Sequence, residues 1–252
     1  MKIDFDTYNA FQYFKKLLLN TTFMVYQFWI IFAILLFFII LFDKKYCMLR
    51  DISKAQGHQP YSWARVQLAW WTVIVLSSFI AILWGKGLAP TLHSSTVILL
   101  GISAATTATA RVIDVSDEEK NIRRHQDGFG KNFFLDILSD ENGVSVHRFQ
   151  TVVFNALFGI WFIQAVLHNL MLDCSAYKGD VNALKLCNED ILNYIMPDIS
   201  NNNLILLGLS SATYAALKMT ENTTAKSSNK ILNIDEEPLE VTDSIDTDPA
   251  IG

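Results

Sequence analysis

The sequence predicts an all-α membrane protein whose five transmembrane helices form a pseudo-symmetric bundle. Two observations support this fold class. The chain of 252 residues is 51% apolar, with the apolar residues gathered into blocks of membrane-spanning length, and one helix-length stretch occurs twice. We therefore expect two helix hairpins related as parallel repeats, plus one additional span on their amino-terminal side.

Five apolar blocks define the predicted spans. They lie at about residues 23–42, 66–84, 95–113, 149–171 and 203–218. The first block has no charged residue in twenty positions and is too long for the apolar region of a cleaved signal peptide, so we interpret it as a retained helix. The fifth block is short and rich in small residues, which makes its limits the least defined.

The repeat fixes the expected architecture. Residues 98–106 read ILLGISAAT and residues 205–213 read ILLGLSSAT, and a Ser-x-x-Arg-x-Gln motif precedes each copy. The hairpins are therefore predicted at 61–114 and 144–221. The interval from the motif glutamine to the repeat glycine is 34 residues in the first copy and 58 in the second, so the second hairpin carries 24 additional residues in its outer loop.

Small residues recur on one side of both repeated helices. They are Gly101, Ala105 and Ala108 in the first copy, and Gly208, Ala212 and Ala215 in the second. Small residues allow close approach of helix backbones in lipid. We expect these positions to pack helices together, which would make the third and fifth spans the inner helices.

Hydroxyl residues occupy the other side of the same helices. They are Ser103 and Thr106 in the first copy, and Ser210 and Thr213 in the second. These hydroxyls would either form interhelical hydrogen bonds or line an aqueous path in an oligomer. The motif amides Gln67 and Gln150 lie near the start of their spans and would bond to a neighbouring helix or meet these hydroxyl faces.

Charged residues end each hairpin on the same side of the membrane. We expect one ion pair per repeat, Arg65 with Asp114 and Arg148 with Glu221. The alternative is that each arginine extends to lipid phosphates without a protein partner.

Basic residues predict the orientation. Segments 43–65 and 111–148 carry five and six Lys or Arg residues, so both should face the cytoplasm, with the amino terminus outside and the carboxyl terminus inside. Cys174 and Cys187 then share one outer loop, where a disulfide is one interpretation and two unpaired cysteines the other. We expect an integral protein of a bacterial inner membrane.

Three further segments flank the spans. Residues 1–22 have apolar residues at helical spacing and read either as an amphipathic surface helix or as an extension of the first span. The cytoplasmic insert 115–143 contains an apolar stripe that predicts a short interfacial helix, with a soluble docking surface as the alternative. The tail 222–252 is polar and then acidic, which predicts disorder.

The sequence gives little support for catalysis. The five histidines are scattered without metal-ligand spacing, and no phosphate-binding glycine loop or nucleophile motif is present. We expect no enzyme activity, no cofactor, no bound metal and no nucleic-acid partner. The first hypothesis is a homo-oligomeric membrane scaffold or effector subunit that contacts a cytoplasmic protein. The alternative is an oligomeric ion channel lined by the Ser and Thr faces.

Overall fold

The structure is a computed structural model of the chain. It describes residues 21–51, 59–87, 89–120, 127, 130, 132–140, 143–172, 174 and 179–234. For residues 21, 22 and 220–234 it describes the backbone alone. The predicted amphipathic helix over 1–22, apart from its last two residues, lies outside the described residues. So does the acidic part of the tail from residue 235 onward.

Helices make up most of the described chain. In chain order they are α1 (Thr21–Tyr46), α2 (Trp63–Lys86), α3 (Ser94–Glu119), α4 (Phe133–Leu138), α5 (Val146–Leu170), α6 (Val181–Tyr194) and α7 (Asn201–Ile234). Between α4 and α5, strands β1 (Ser139–Asp140) and β2 (Gly143–Val144) pair antiparallel, with Ser139 opposite Val144.

Four of the described helices, α1, α2, α3 and α5, are long and apolar enough to cross a membrane. The prediction of a helical membrane protein is confirmed to this extent. The fifth predicted span corresponds to α7, which is not among the four. Its first turn contains three asparagines, and Lys218 lies further along. The described side chains of this helix are therefore more polar than those of the four membrane-length helices.

The most enclosed helix is α2, so the expectation that the third and fifth spans are the inner helices is wrong. Half of the apolar window of α2 is buried, against a third of that of α3. The reason is packing, because α2 contacts α1, α3 and α5. Trp71 of α2 is fully buried, where its ring meets Phe162 edge-on and its indole nitrogen donates to the Asn155 side chain at 2.8 Å.

The two repeated helices, α3 and α7, pack against each other and bury stripes with helical spacing. The buried stripe of α3 contains Leu99, Ser103, Thr106 and Ala110, and that of α7 contains Leu204, Leu207, Ser211, Tyr214 and Lys218. Intervals of three and four residues place each set on one face of its helix. The two stripes use different repeat positions, since Thr106 is buried whereas its counterpart Thr213 is exposed.

Close contact between α2 and α5 depends on Gly159. A Cβ atom at this position would lie 2.5 Å from the indole nitrogen of Trp70. That nitrogen donates to the Asn155 backbone carbonyl at 3.1 Å, so the indole lies directly across the glycine. The glycine predicted to pack, Gly101, has no atom within 4 Å of such a Cβ. Gly159 therefore has the packing role that the sequence analysis assigned to the repeat.

At the opposite end from the connector between α1 and α2, the loop between α5 and α7 is attached to the bundle. Cys174 and Cys187 form a disulfide. After α6, a short segment inserts between the helices and buries Ile195, Met196 and Ile199. Ser95 at the start of α3 donates to the Asp198 carboxylate at 2.7 Å and accepts from the Ile199 amide at 3.1 Å. The additional loop therefore contributes to the core as well as to the surface.

Two flanking segments differ from expectation. Within the predicted insert, the apolar stripe of α4 packs on the bundle through Ile137, and Phe133 meets the Tyr61 ring edge-on. The backbone of α7 continues through Ile234, so the first part of the predicted disordered tail is helical. The cause lies in the sequence, because no proline or glycine interrupts residues 209–234.

We predict that Gly159→Ala destabilises the protein by about 1–3 kcal/mol, because the added methyl group must displace the Trp70 indole. Gly101→Ala is the matched control and should be neutral or stabilising by up to ~1 kcal/mol, since alanine is the better helix former. Unfolding of the purified protein by SDS titration in mixed micelles measures both. Equal effects of the two substitutions would contradict this packing.

Candidate functional site

Ionisable side chains are concentrated at one end of the bundle. At this end α1 and α3 finish and α2 and α5 begin, and we call it the basic end. It buries Asp51 of the connector after α1, Asp114 of α3, Arg148 of α5, and Tyr214 and Lys218 of α7. Burial of a charge is unfavourable unless an opposite charge and hydrogen bonds accompany it.

Lys218 is the centre of this group. Only 3% of its side chain is exposed, and its ammonium lies 2.9 Å from the Asp114 carboxylate. A second carboxylate, that of Asp51, lies 3.5 Å from the same nitrogen on another side. One lysine therefore joins α7 to α3 and to the connector between α1 and α2.

Arg148 and Tyr214 lie beside this lysine. The Arg148 guanidinium is centred 5.4 Å from the middle of the Tyr214 ring, within the range of a cation–π contact. Tyr214 is one helical turn before Lys218, so both face the same side of α7. The start of α5 is thus attached to the same part of α7 as the end of α3.

The connector carries a second buried ion pair. Two guanidinium nitrogens of Arg50 each lie 3.3 Å from the same Asp43 oxygen, and one of them also donates to the Tyr61 hydroxyl at 3.0 Å. Burial, and then the Asp43 carboxylate, raise the pKa of Tyr61, while Arg50 opposes them. The hydroxyl therefore stays neutral and acts as the acceptor of the arginine.

Backbone contacts hold the connector in place. The Asp51 amide donates to the Pro60 carbonyl at 3.0 Å, and the Ser62 amide donates to the Leu49 carbonyl at 2.9 Å. Cys47 takes a left-handed conformation, with φ of 53°, as the chain leaves α1. These contacts orient Asp51 towards Lys218. Ser62 precedes α2 as expected of an N-cap, but its side chain makes no capping hydrogen bond.

The arrangement attaches helices to one another. The buried Lys218 ammonium contacts the Asp51 and Asp114 carboxylates, and Asp117 is a further buried carboxylate of α3. Within the described ranges, no three His, Cys, Asp or Glu side chains come together as a metal site. What the group does physically is to fix α3, α5, α7 and the connector relative to one another.

One of the two predicted ion pairs, Arg65 with Asp114, needs correction, and the other stays a prediction. Arg65 does not pair with Asp114, because Lys218 occupies that carboxylate, and Arg65 instead donates to the Met48 carbonyl at 3.4 Å. Arg148 lies over Tyr214. The side chain of its predicted partner Glu221 lies outside the described residues. The observed pair joins the first repeat to the second, whereas the predicted pairs were within each repeat.

The polar residues of the spans are placed unequally. Gln67 is buried and donates to the Ser211 hydroxyl of α7 at 3.0 Å, but Gln150 at the equivalent position is exposed. The buried hydroxyls of Ser103 and Thr106 donate to carbonyls of their own helix, at 3.1 and 2.8 Å. Ser210 is also buried, whereas Thr213 is exposed.

The predicted packing residues lie mainly outside the intrachain contacts. Gly101, Ala105, Ala108 and Ala212 are exposed, while Gly208 and Ala215 are half-buried. Gly208 is nearest to α3, since a Cβ atom there would meet Ile102 at 3.5 Å. The small-residue face of α3 therefore does not hold this chain together.

Lys218, the central residue of the site, was not predicted from the sequence. The spacing of residues in the sequence could have identified it. Lys218 follows Leu204, Leu207, Ser211 and Tyr214 at intervals of three and four, which places all five on one face of the helix. A lysine on a buried stripe requires a carboxylate partner, and Asp114 is the acid just beyond the first repeat.

Comparison with known proteins does not extend this description. The chain matches no protein-family model, no curated protein and no solved structure.

We predict that Lys218→Met destabilises the fold by about 3–5 kcal/mol, because two carboxylates lose their buried cation. Lys185→Met is the control. Lys185 pairs with Glu189 at 3.9 Å, but both side chains are exposed, so its removal should change stability by less than about 1 kcal/mol. SDS unfolding of both variants tests this, and a Lys218→Met protein as stable as the control would contradict the proposed network.

Proposed function

We propose that the protein is a non-enzymatic, multi-pass membrane scaffold or effector subunit that assembles with further copies of itself through α3 and α7. One observation carries the proposal: the small-residue face of α3, with Gly101, Ala105 and Ala108, is exposed. Residues of this kind permit close helix contact, and the exposure of these three leaves them accessible to a partner helix.

A comparison with α1 supports this interpretation. The exposed residues of α1 are bulky, among them Phe37, Phe38 and Phe42, as suits a helix that faces acyl chains. The middle of α3, between the exposed Ile98 and Val112, exposes small side chains instead. On α7, Ala212, Thr213 and Ala216 are exposed between Leu209 and Met219. Two neighbouring helices thus offer small-residue surfaces to a partner helix.

The proposal includes α7 as a fifth span. The 18 residues from Asn201 to Lys218 rise about 27 Å, close to the ~30 Å apolar thickness of a bilayer. Their packing against α3 and α5, both of membrane length, supports the same placement. With five spans in a bacterial inner membrane, the basic end faces the cytoplasm and the disulfide faces outward.

A cytoplasmic protein partner is part of this proposal. The surface around α4 and the β-hairpin exposes Phe134, Val144 and Val146, the last with 81% of its area accessible. Exposed apolar groups of this kind are common where another protein binds. Because α4 also packs on the bundle, a partner here would be positioned relative to the buried ion network.

The alternative of an ion channel has less support. Three of its four proposed lining residues, Ser103, Thr106 and Ser210, are buried inside the chain, where a path between subunits would not reach them. Only Thr213 is exposed, and its hydroxyl donates to the Leu209 carbonyl at 2.8 Å. Assembly without a Ser- and Thr-lined pore is therefore the better-supported hypothesis.

We predict that single cysteines on the small-residue faces crosslink between copies in the membrane. In a Cys47→Ser background, Ala105→Cys and Ala212→Cys are introduced separately and together, which covers contacts of α3 with α3 and of α3 with α7. Treatment with a copper–phenanthroline oxidant should give dimers on a non-reducing gel, because small residues let the helix backbones approach closely.

Ile160→Cys provides the control, since Ile160 is exposed on α5 outside this surface. It should remain monomeric under the same oxidation. The proposed assembly is contradicted if the Ala105 and Ala212 variants, alone and combined, give no more dimer than Ile160→Cys.

A further inference from the structure

The carboxyl-terminal half of α1 is separated from the rest of the bundle by a groove. Near its beginning, α1 is packed tightly, with Met24, Phe28 and Ile31 buried and Met24 lying against Gly85 of α2. Further along, exposed residues such as Phe38 and Phe42 dominate. The helix thus diverges from α2 as it approaches the basic end.

The groove has a volume of about 700 Å³. Its walls are side chains of α1, α2 and α3, among them Leu35, Ile39, Leu68 and Leu76, and Met48 and Leu49 of the connector close one end. The two threonines in the walls do not make it polar, because Thr72 and Thr107 donate to backbone carbonyls at 2.7 and 3.0 Å. The volume lies within the range of about 300–1,000 Å³ found for small-molecule sites.

Two arginines, Arg65 and Arg111, lie at the basic end of this groove. Thr107 donates to the Ala64 carbonyl, which aligns this part of α3 with the start of α2. Arg111 is one turn beyond Thr107 towards the basic end, and both arginines line the same groove. Among the described residues, no carboxylate lines the groove and neither arginine forms an ion pair. The groove is therefore apolar along its length and positively charged at one end.

We propose that this groove binds an anionic phospholipid, with an acyl chain between α1 and α2 and the headgroup phosphate between Arg65 and Arg111. The charge distribution supports this occupant over a neutral lipid. Basic positions at the ends of membrane helices bind anionic headgroups, and arginine forms paired hydrogen bonds to phosphate oxygens. A free phosphate ion would leave the apolar part of the groove unfilled.

A second groove on the other side of α1 provides a contrast. It has a volume of about 590 Å³ and is lined by Lys44, Arg50 and Asp43 as well as by apolar residues. There Arg50 is already paired with Asp43, so that groove has less free positive charge. The proposal therefore concerns the Arg65 and Arg111 side alone.

Native mass spectrometry of the full-length protein tests the proposal. The protein is exchanged into micelles that contain equal amounts of phosphatidylglycerol and phosphatidylcholine. We expect the first retained lipid to be phosphatidylglycerol, with at least a fivefold preference. The Arg65→Gln/Arg111→Gln variant should show equal retention of the two lipids, whereas Lys44→Gln, in the second groove, should keep the wild-type preference.

Two further measurements complete the test. Thr72→Trp, at a position that lines this groove and not the second one, narrows the groove and should reduce retention of both lipids, which separates binding of the acyl chain from binding of the headgroup. Excess inorganic phosphate should not displace the retained lipid; displacement would assign the site to free phosphate instead. The proposal is overturned if the wild type shows no preference, or if the double arginine variant keeps it while unfolding at the wild-type SDS concentration.

Discussion

The pairing of Lys218 with Asp114 is the constraint on which the arrangement of the bundle depends. The two residues belong to different copies of the internal repeat and are almost fully buried. A buried ammonium without its carboxylate is strongly destabilising, so α7 can pack on α3 only in the register that brings the two groups together. Asp51 extends the constraint to the connector after α1, and Arg148, through Tyr214, extends it to α5.

The contacts between helices further from the basic end are compatible with this register of α7 on α3. Gln67 reaches Ser211 across the α2–α7 contact, and Trp70 lies across Gly159 to fix α2 against α5. At the other end, Ser95 and Asp198 attach the loop between α5 and α7 to α3. The contacts of Ser95 and Ser211 use the faces of α3 and α7 that carry Ser103 and Lys218. The faces that carry Gly101 and Ala212 are consequently left available for contact with other copies.

Much of the fold was predictable from the sequence, and much of the site was not. Apolar blocks locate four membrane-length helices because the length and the apolar composition of a block together determine whether a helix can cross a bilayer. The repeat correctly divided α3 into a small-residue side and a hydroxyl side, but periodicity does not state which side is buried. Gly101 and Gly159 look alike in sequence, and only the position of Trp70 distinguishes them. Asp114 was assigned to Arg65 by proximity within one hairpin, whereas the partner comes from a helix about a hundred residues later.

The central claim is that a buried Lys218–Asp114 interaction couples the two repeats, and a double-mutant cycle tests it most directly. The free energy of unfolding of the wild type, Asp114→Asn, Lys218→Met and the double variant would be measured by SDS titration under the same conditions. We predict that the double variant is little less stable than either single variant, with a coupling energy of at least about 1.5 kcal/mol. Additive losses, with coupling near zero, would show that the two residues act independently and would contradict this account.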